Sequence, residues 1–442
     1  GPVRGGEEEA LADPGVVSAG KRARRDGAPA PDSAHAAVHS HGAGGHAAPV
    51  GRRARNVLAA LTVGLLLVTL LGVVMLWPGP GEQTDSSDFL APGVEIVPVT
   101  VTAAAETTEL EEMAVIEAVG RAAPIEGEAV TVQVPPEIAA DGIHVGDRLR
   151  VLDVAAVEGG ADESGAAQVM YYFDHDRALP LGILLIAYLL LVALVARGSG
   201  LRAMAGLAAG VAIVLWFMLP AIFAGQNAVL VALVAASAMI FPCVYFAHGI
   251  SVRTTTAVLG TFGGIAVTVL VALAAGRPTG MTGADGEAAQ VLYSAHPHLS
   301  LPTVFLAGVI ISGLGALNDV TITQASSAWE LRAAMPNASR LRIFTATMRI
   351  GRDHIASTVY TLAYAYIGTA LPVLMYASTI NRSLWDTLTS GEIAAEIFRT
   401  LVASIGLVLA IPLTTAIAAM LAVRAAPAGA RRRTGSERPA TR

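Results

Sequence analysis

Cysteine is nearly missing from this sequence of 442 residues: Cys243 is the only one, which excludes an intrachain disulfide and any cysteine-based zinc or iron–sulfur centre. It stands in an apolar run and is expected to serve as a small core residue. Lysine is as scarce, with Lys21 alone among 29 basic residues. Charge of either sign is low. Only 14% of residues are charged and 54% are hydrophobic, against about 25% charged in a soluble domain, so a chain that stays dissolved on its own is excluded. The formal net charge of -6 comes mostly from acidic residues between 81 and 176, which leaves no basic field and excludes a nucleic-acid partner. No H-E-x-x-H or G-x-S-x-G motif occurs, so no catalytic residue, metal ligand or cofactor is assigned.

What the sequence has is long apolar runs. Val57–Trp77 carries no charge over 21 residues, enough for the ~20 that a bilayer core requires, and it is too long for a cleaved signal segment. Further uncharged spans lie at 180–196, 203–222, 228–247, 254–275, 301–318, 355–377 and 401–423. The expected fold is an α-helical integral membrane protein of eight transmembrane helices, bound in the lipid bilayer. Arginines mark one side: Arg52, Arg53 and Arg55, then Arg197 and Arg202, Arg253, those between 332 and 352, and Arg431 to Arg433. By the positive-inside rule that side is the cytoplasm, so both ends are expected there, in a bacterial cell membrane. Arg277, Arg382 and Arg399 fall on the other.

Residues 1–50, rich in Gly, Ala, Pro and charge, are expected to be a disordered cytoplasmic tail. His35, His39, His41 and His46 within it are too loosely tethered to preorganise a metal site. Residues 424–442 form a second, basic tail. Residues 82–178 interrupt the membrane pattern and are expected to form a small β-rich extracytoplasmic domain. Its strands are expected at Val94–Thr102, Ala129–Val134, Arg148–Val154 and Gln168–Phe173, all rich in β-branched residues and bounded by Pro, Gly and Asp. The stretch after Glu106 fits either a helix to Val115 or a strand over Met113–Val119.

Polar residues at membrane depth are costly, so their concentration marks the candidate site. Asp319, Thr323, Ser326 and Glu330 recur at spacings of 4, 3 and 4, which stacks them on one helix face. Asp353, Ser357, Tyr360 and Tyr364 repeat that spacing at the entry to the next span, with Arg349 and Arg352 beside them. Two carboxylate-led stripes on consecutive helices suit a cation or proton pathway. The plainer alternative is that Asp319 and Asp353 cap helices or pair with Arg349 or Arg352. Gly206/Gly210 and Gly260/Gly264 have G-x-x-x-G spacing and are expected at close helix contacts.

Three stretches carry a family resemblance: Gly315 to Arg332, Met348 to Tyr364, and Asp174-His175-Asp176-Arg177. Through them the chain resembles the YibE/F family of bacterial multi-pass membrane proteins, in its actinobacterial form, over residues from about 95 to 423. The resemblance implies a topology and names no substrate. The function expected is a transporter or permease for an unidentified substrate or ion, with a polar, cytoplasm-facing site between the sixth and seventh helices. The alternative is a non-transporting envelope factor whose outer domain docks a protein or cell-wall partner. A homo-oligomer is compatible with both. An intramembrane aspartyl-type hydrolase is the remaining alternative, without that class's flanking motifs.

Overall fold

The computed structural model describes residues 52–79, 94–103, 113–154, 169–380 and 383–421. The two expected tails lie outside the described residues, as does the stretch 104–112 for which a helix was one expectation. Helix α1 (Arg52–Met75) takes up the first apolar run. It keeps an aliphatic surface exposed and touches the bundle near its end, where Trp77 stacks on Phe217 at 6.0 Å.

Strands β1 (Glu95–Ala103), β2 (Ala114–Gly120) and β3 (Ala129–Val134) lead to a short helix α2 (Pro136–Gly142), then to β4 (Arg148–Asp153) and β5 (Val169–His175). The alternation in the sequence sends every second side chain inward. Val97, Val99, Val101, Ile116, Ala118, Val130, Val132, Val134, Leu149, Val151 and Met170 form one core. The strands close a barrel in the order β1-β2-β3-β5-β4, with β3 and β5 parallel and β1 antiparallel to both β2 and β4. That order, with a helix between β3 and β4, is the OB-fold arrangement. Of the two readings for Met113–Val119, the strand is the one present. Leu149 is fully buried in this barrel, so Leu149→Ala is expected to cost about 2–5 kcal/mol. Limited proteolysis of the full chain in detergent should show cleavage within residues 94–175 at lower protease than for the parent.

The sequence Asp174-His175-Asp176-Arg177 joins barrel to bundle. Asp174 accepts a hydrogen bond from Arg177, Arg121 reaches Asp176 at 3.4 Å, and the His175 ring bridges Tyr172 Oη at 2.8 Å and the Gly142 carbonyl at 2.9 Å. The Arg177 hydrogen bond holds the Asp174 carboxyl below its usual range, helped by the His175 amide. Because its folded value is depressed, this contact is intact above the usual carboxylate range and is lost only as pH falls through the lowered value.

Helix α3 (Ala178–Ile213) runs through a π-helical turn, Val214–Met218, into α4 (Leu219–Phe223). Together they make 46 residues, about 69 Å at 1.5 Å per residue and twice the ~30 Å hydrocarbon core. The stretch is not straight. Arg197 has φ 53°, and a Cβ placed on Gly200 would lie 2.7 Å from Val192 Cγ1, whereas eight residues of straight helix span about 12 Å. The chain therefore folds back at Arg197, between the two spans expected at 180–196 and 203–222.

Helices α5 (Ala228–His248) and α6 (Val252–Gly276) follow, each capped by a side chain: Asn227 accepts from Val229 and Leu230 amides, and Ser251 from Thr254. After α7 (Glu287–Ala295) come α8 (Leu301–Ser312) and α9 (Leu314–Ala334), continuous but for a break at Gly313. Then come α10 (Arg340–Thr379), α11 (Leu384–Leu388) and α12 (Gly391–Leu421). Among the described residues, seven helices are long and apolar enough to cross a membrane. The chain is thus a helical protein built for embedding in a membrane. The count is seven where eight spans are expected; the spans expected at 180–196 and 203–222 both lie within the stretch 178–223, which is one of the seven.

The bundle core is built around α5, whose small Ala228, Ala232, Ala235 and Ala236 let neighbours approach. The G-x-x-x-G pairs mark close contacts, as expected. Gly206 meets the backbone of Pro242 and Cys243, Gly210 meets Met239, and Gly264 meets Leu317 and Ala410. Cys243 packs there too, with its thiol 3.4 Å from the Gly206 carbonyl.

Candidate functional site

Helix α9 ends at Ala334, with Met335 as its C-cap before Pro336, and Ser339 caps the start of α10 by accepting from the Arg342 amide at 3.2 Å. So short a connection lays α9 and α10 side by side. They meet α12 at Gly351, where an added Cβ would lie 3.0 Å from Gln324 Nε2 and 2.7 Å from Ile411.

The helices come together, but the two expected stripes do not. On α9, Asp319 and Glu330 are exposed and Thr323 and Ser326 partly so, with Thr323 Oγ1 bonded back to the Asp319 carbonyl at 2.8 Å. On α10, Arg349, Arg352, Asp353, Ser357, Tyr360 and Tyr364 all lie on the exposed side. No ion pair among the described residues joins Asp319, Glu330, Arg349, Arg352 or Asp353, so the structural pairing offered as the plainer alternative is not formed. The expectation of a site enclosed between the two helices is corrected accordingly. The stripes are real helix faces that point away from the bundle.

What occupies the space between helices is a different polar set. Thr321 on α9 bonds Thr261 on α6 at 2.7 Å. One turn on, the Gln324 amide lies 3.0 Å from Thr415 Oγ1 on α12, whose hydroxyl also bonds the Ile411 carbonyl at 2.7 Å. Thr414, Thr268 and Thr347 are buried along the same contacts of α6, α10 and α12. Gln324 is 0% exposed, and its Nε2 meets no hydrogen-bond partner among the described residues. A buried amide with one end unmet is costly in a membrane bundle. Gln324 lies inside the polar stretch singled out in the sequence, yet the carboxylates drew attention away from it. The available signal was an amide and a threonine three residues apart in a segment entering a span.

A second feature is a cleft of about 310 Å³ where the loop after α6, α10 and the start of α12 meet; Asp285, Phe305, Thr369, Glu392, Glu396 and Arg399 line it. Arg399 lies 3.7 Å from Glu396 and stacks its guanidinium over Phe305 at 5.7 Å. Three carboxylates against one guanidinium favour a cation over an anion there. Glu392, Glu396 and Arg399 stand at spacings of 4 and 3 just before the last uncharged run, a readable face in the sequence that was not picked out. Among the described residues no three His, Cys, Asp or Glu are placed to share a metal ion.

A family model described as YibE/F-like protein matches residues 184–424, which takes in α3 from its second turn through α12 and leaves out the barrel. No curated protein and no solved structure matches the chain.

Proposed function

We propose, from the premise that this chain belongs to the YibE/F-like protein family, that it is a permease of the bacterial cell membrane for a small cation. The observation that carries the reading is where polarity gathers in an otherwise apolar bundle. It comprises the acidic cleft at Glu392 and Glu396 and the Thr261–Thr321 and Gln324–Thr415 contacts, with the carboxylates of α9 and α10 on the outward faces of the same helices. Ionisable groups within membrane segments persist chiefly where they serve passage or binding, while hydroxyls and amides also join helices to one another. In this reading the fold at Arg197 separates two crossings, which gives eight. Both chain ends lie in the cytoplasm, and the barrel with the acidic cleft lies outside.

Reconstituted in sealed liposomes under an imposed gradient, the parent protein is expected to pass at least one of H+, Na+, K+ and Mg2+ faster than protein-free liposomes. The Asp319→Asn/Asp353→Asn protein, incorporated to the same level, is expected to fall to the protein-free rate. A parent indistinguishable from empty liposomes with all the cations ends the permease reading.

The barrel favours a second reading, an envelope factor that docks a protein or cell-wall component, since OB-type barrels are commonly binding modules. Deleting residues 82–178 separates the two. Permeation predicts that flux survives the deletion. Docking predicts no flux in either form, and no rescue of a deletion strain by the truncated chain.

A further inference from the structure

The outward face of α10 is the wrong surface for lipid. From Ser357 to Ala377 the helix has no charged residue, so this part is the one suited to the bilayer core. Its inward side carries Ile343, Thr347 and Gly351, buried, followed by Ile355 and Leu362 against α9 and α12. Its outward side carries Ser357, Tyr360, Thr361 and Tyr364, with Tyr360 61% and Tyr364 71% exposed. Helices α1 and α3 expose mainly aliphatic residues, such as Leu67, Val68, Leu71, Leu184, Leu190 and Leu194, with Tyr188 the single exposed tyrosine on α3, whereas α10 sets two tyrosines and two hydroxyls side by side on one face.

An aromatic belt does not account for the difference. Belt tyrosines sit at the headgroups, whereas Tyr364 lies eleven residues past Asp353, the last charge before the run. At 1.5 Å per residue that is about 16 Å, near the middle of a ~30 Å core. A tyrosine hydroxyl there has no water and no lipid group to bond.

The geometry points to a second copy of this chain as the partner that covers this face, with the two α10 helices parallel about a two-fold axis. The face is complementary to itself in two respects. Arg349, Arg352 and Asp353 at its end make no ion pair within the chain, among the described residues. Around a two-fold axis Arg352 of each copy comes to Asp353 of the other, so both pairs form at once. Second, Ser357, Thr361 and Ala365 recur at every fourth position and are all exposed, and a Cβ on Gly368 would meet nothing within 4 Å. Small residues at that spacing let two membrane helices approach closely, and Tyr360 and Tyr364 of one copy fill the hollows of the other.

Pairing also completes the carboxylate stripe on α10. Asp353, Ser357, Tyr360 and Tyr364, open to lipid in one copy, become enclosed between two. That consequence rests on the permease reading, while the pairing itself rests on the exposed face alone.

The test is disulfide trapping in native membranes, with Cys243→Ala removing the only native thiol. Oxidation is expected to give a covalent dimer from Thr361→Cys or Ala365→Cys and none from Leu190→Cys on α3. Ala365→Trp, bulky at the contact, is expected to turn a dimer into a monomer by light scattering in detergent while its melting temperature stays that of the parent. Equal trapping at Leu190 and Ala365, no trapping at either α10 position, or a monomeric parent would each overturn the pairing. Flux through a monomeric parent would remove the pairing and leave the permease. Trapped dimers without flux would do the reverse.

Discussion

Adding one methyl group at Gly260 is expected to destabilise the bundle by about 1–3 kcal/mol, the usual cost of forcing volume into a filled core. The same methyl at Gly308 is expected to leave stability unchanged or raise it by up to ~1 kcal/mol, the helix-propensity gap between Gly and Ala. The contrast follows from what each Cβ would meet. At Gly260 it would fall inside the contact radius of Thr414 Oγ1 and 2.8 Å from Thr414 Cβ, at the tight crossing of α6 and α12. At Gly308 it would meet nothing within 4 Å. Thr414 has little room to yield, since its side chain is fully buried. Thermal denaturation in detergent should rank Gly260→Ala well below the parent and Gly308→Ala at or above it. Thr414→Gly, added to Gly260→Ala, should recover part of the loss. Equal melting temperatures for the two single variants would mean that the α6–α12 crossing is looser than described.

That glycine was visible as part of a G-x-x-x-G spacing, so its role in a close contact could be read from the sequence. Its partner could not, because nothing in the spacing says that α6 meets α12. The same division runs through the rest of the molecule. Uncharged runs located the helices, since a bilayer imposes length and apolarity on each segment separately. They understated α10, which starts at Arg340, because a helix leaving the membrane is free to carry charge. Alternation located the strands to within a residue or two, because one face of each is buried. The closed order with β5 between β3 and β4 is a long-range fact that no local pattern holds.

The candidate site divides in the same way. Spacings of 4, 3 and 4 correctly place Asp319 with Glu330, and Asp353 with Tyr364, on single helix faces. They do not say which face turns inward. In water the hydrophobic effect would sort the faces, but between membrane helices it has no such grip, and small and polar residues collect at the contacts instead. Helix α9 carries polar residues on both sides, Asp319 and Glu330 outward and Thr321 and Gln324 inward, so the sequence offered two candidate faces. The acidic cleft was harder still, since its walls come from residues 283–286, 369–373 and 392–399.

The inward face gives the second large effect. Replacing Gln324 and Thr415 together, by Gln324→Met and Thr415→Val, is expected to make the protein at least as stable as the parent, and by as much as about 1–3 kcal/mol more so. That range is the cost of leaving a buried donor without a partner, which Gln324 Nε2 bears among the described residues. Methionine keeps nearly the same volume, and valine keeps the shape of threonine, so neither change opens a cavity. Thr415→Val alone should act in the opposite direction, because it removes the one side-chain partner of the Gln324 amide and strands the whole group. Liposome flux is expected to vanish in the double variant despite its stability. On the permease reading, the amide left half-met at the junction of α9, α10 and α12 is kept as part of the pathway rather than for packing. If the double variant is less stable than the parent and its flux is unchanged, Gln324 is a packing residue and the pathway runs along the carboxylate faces alone.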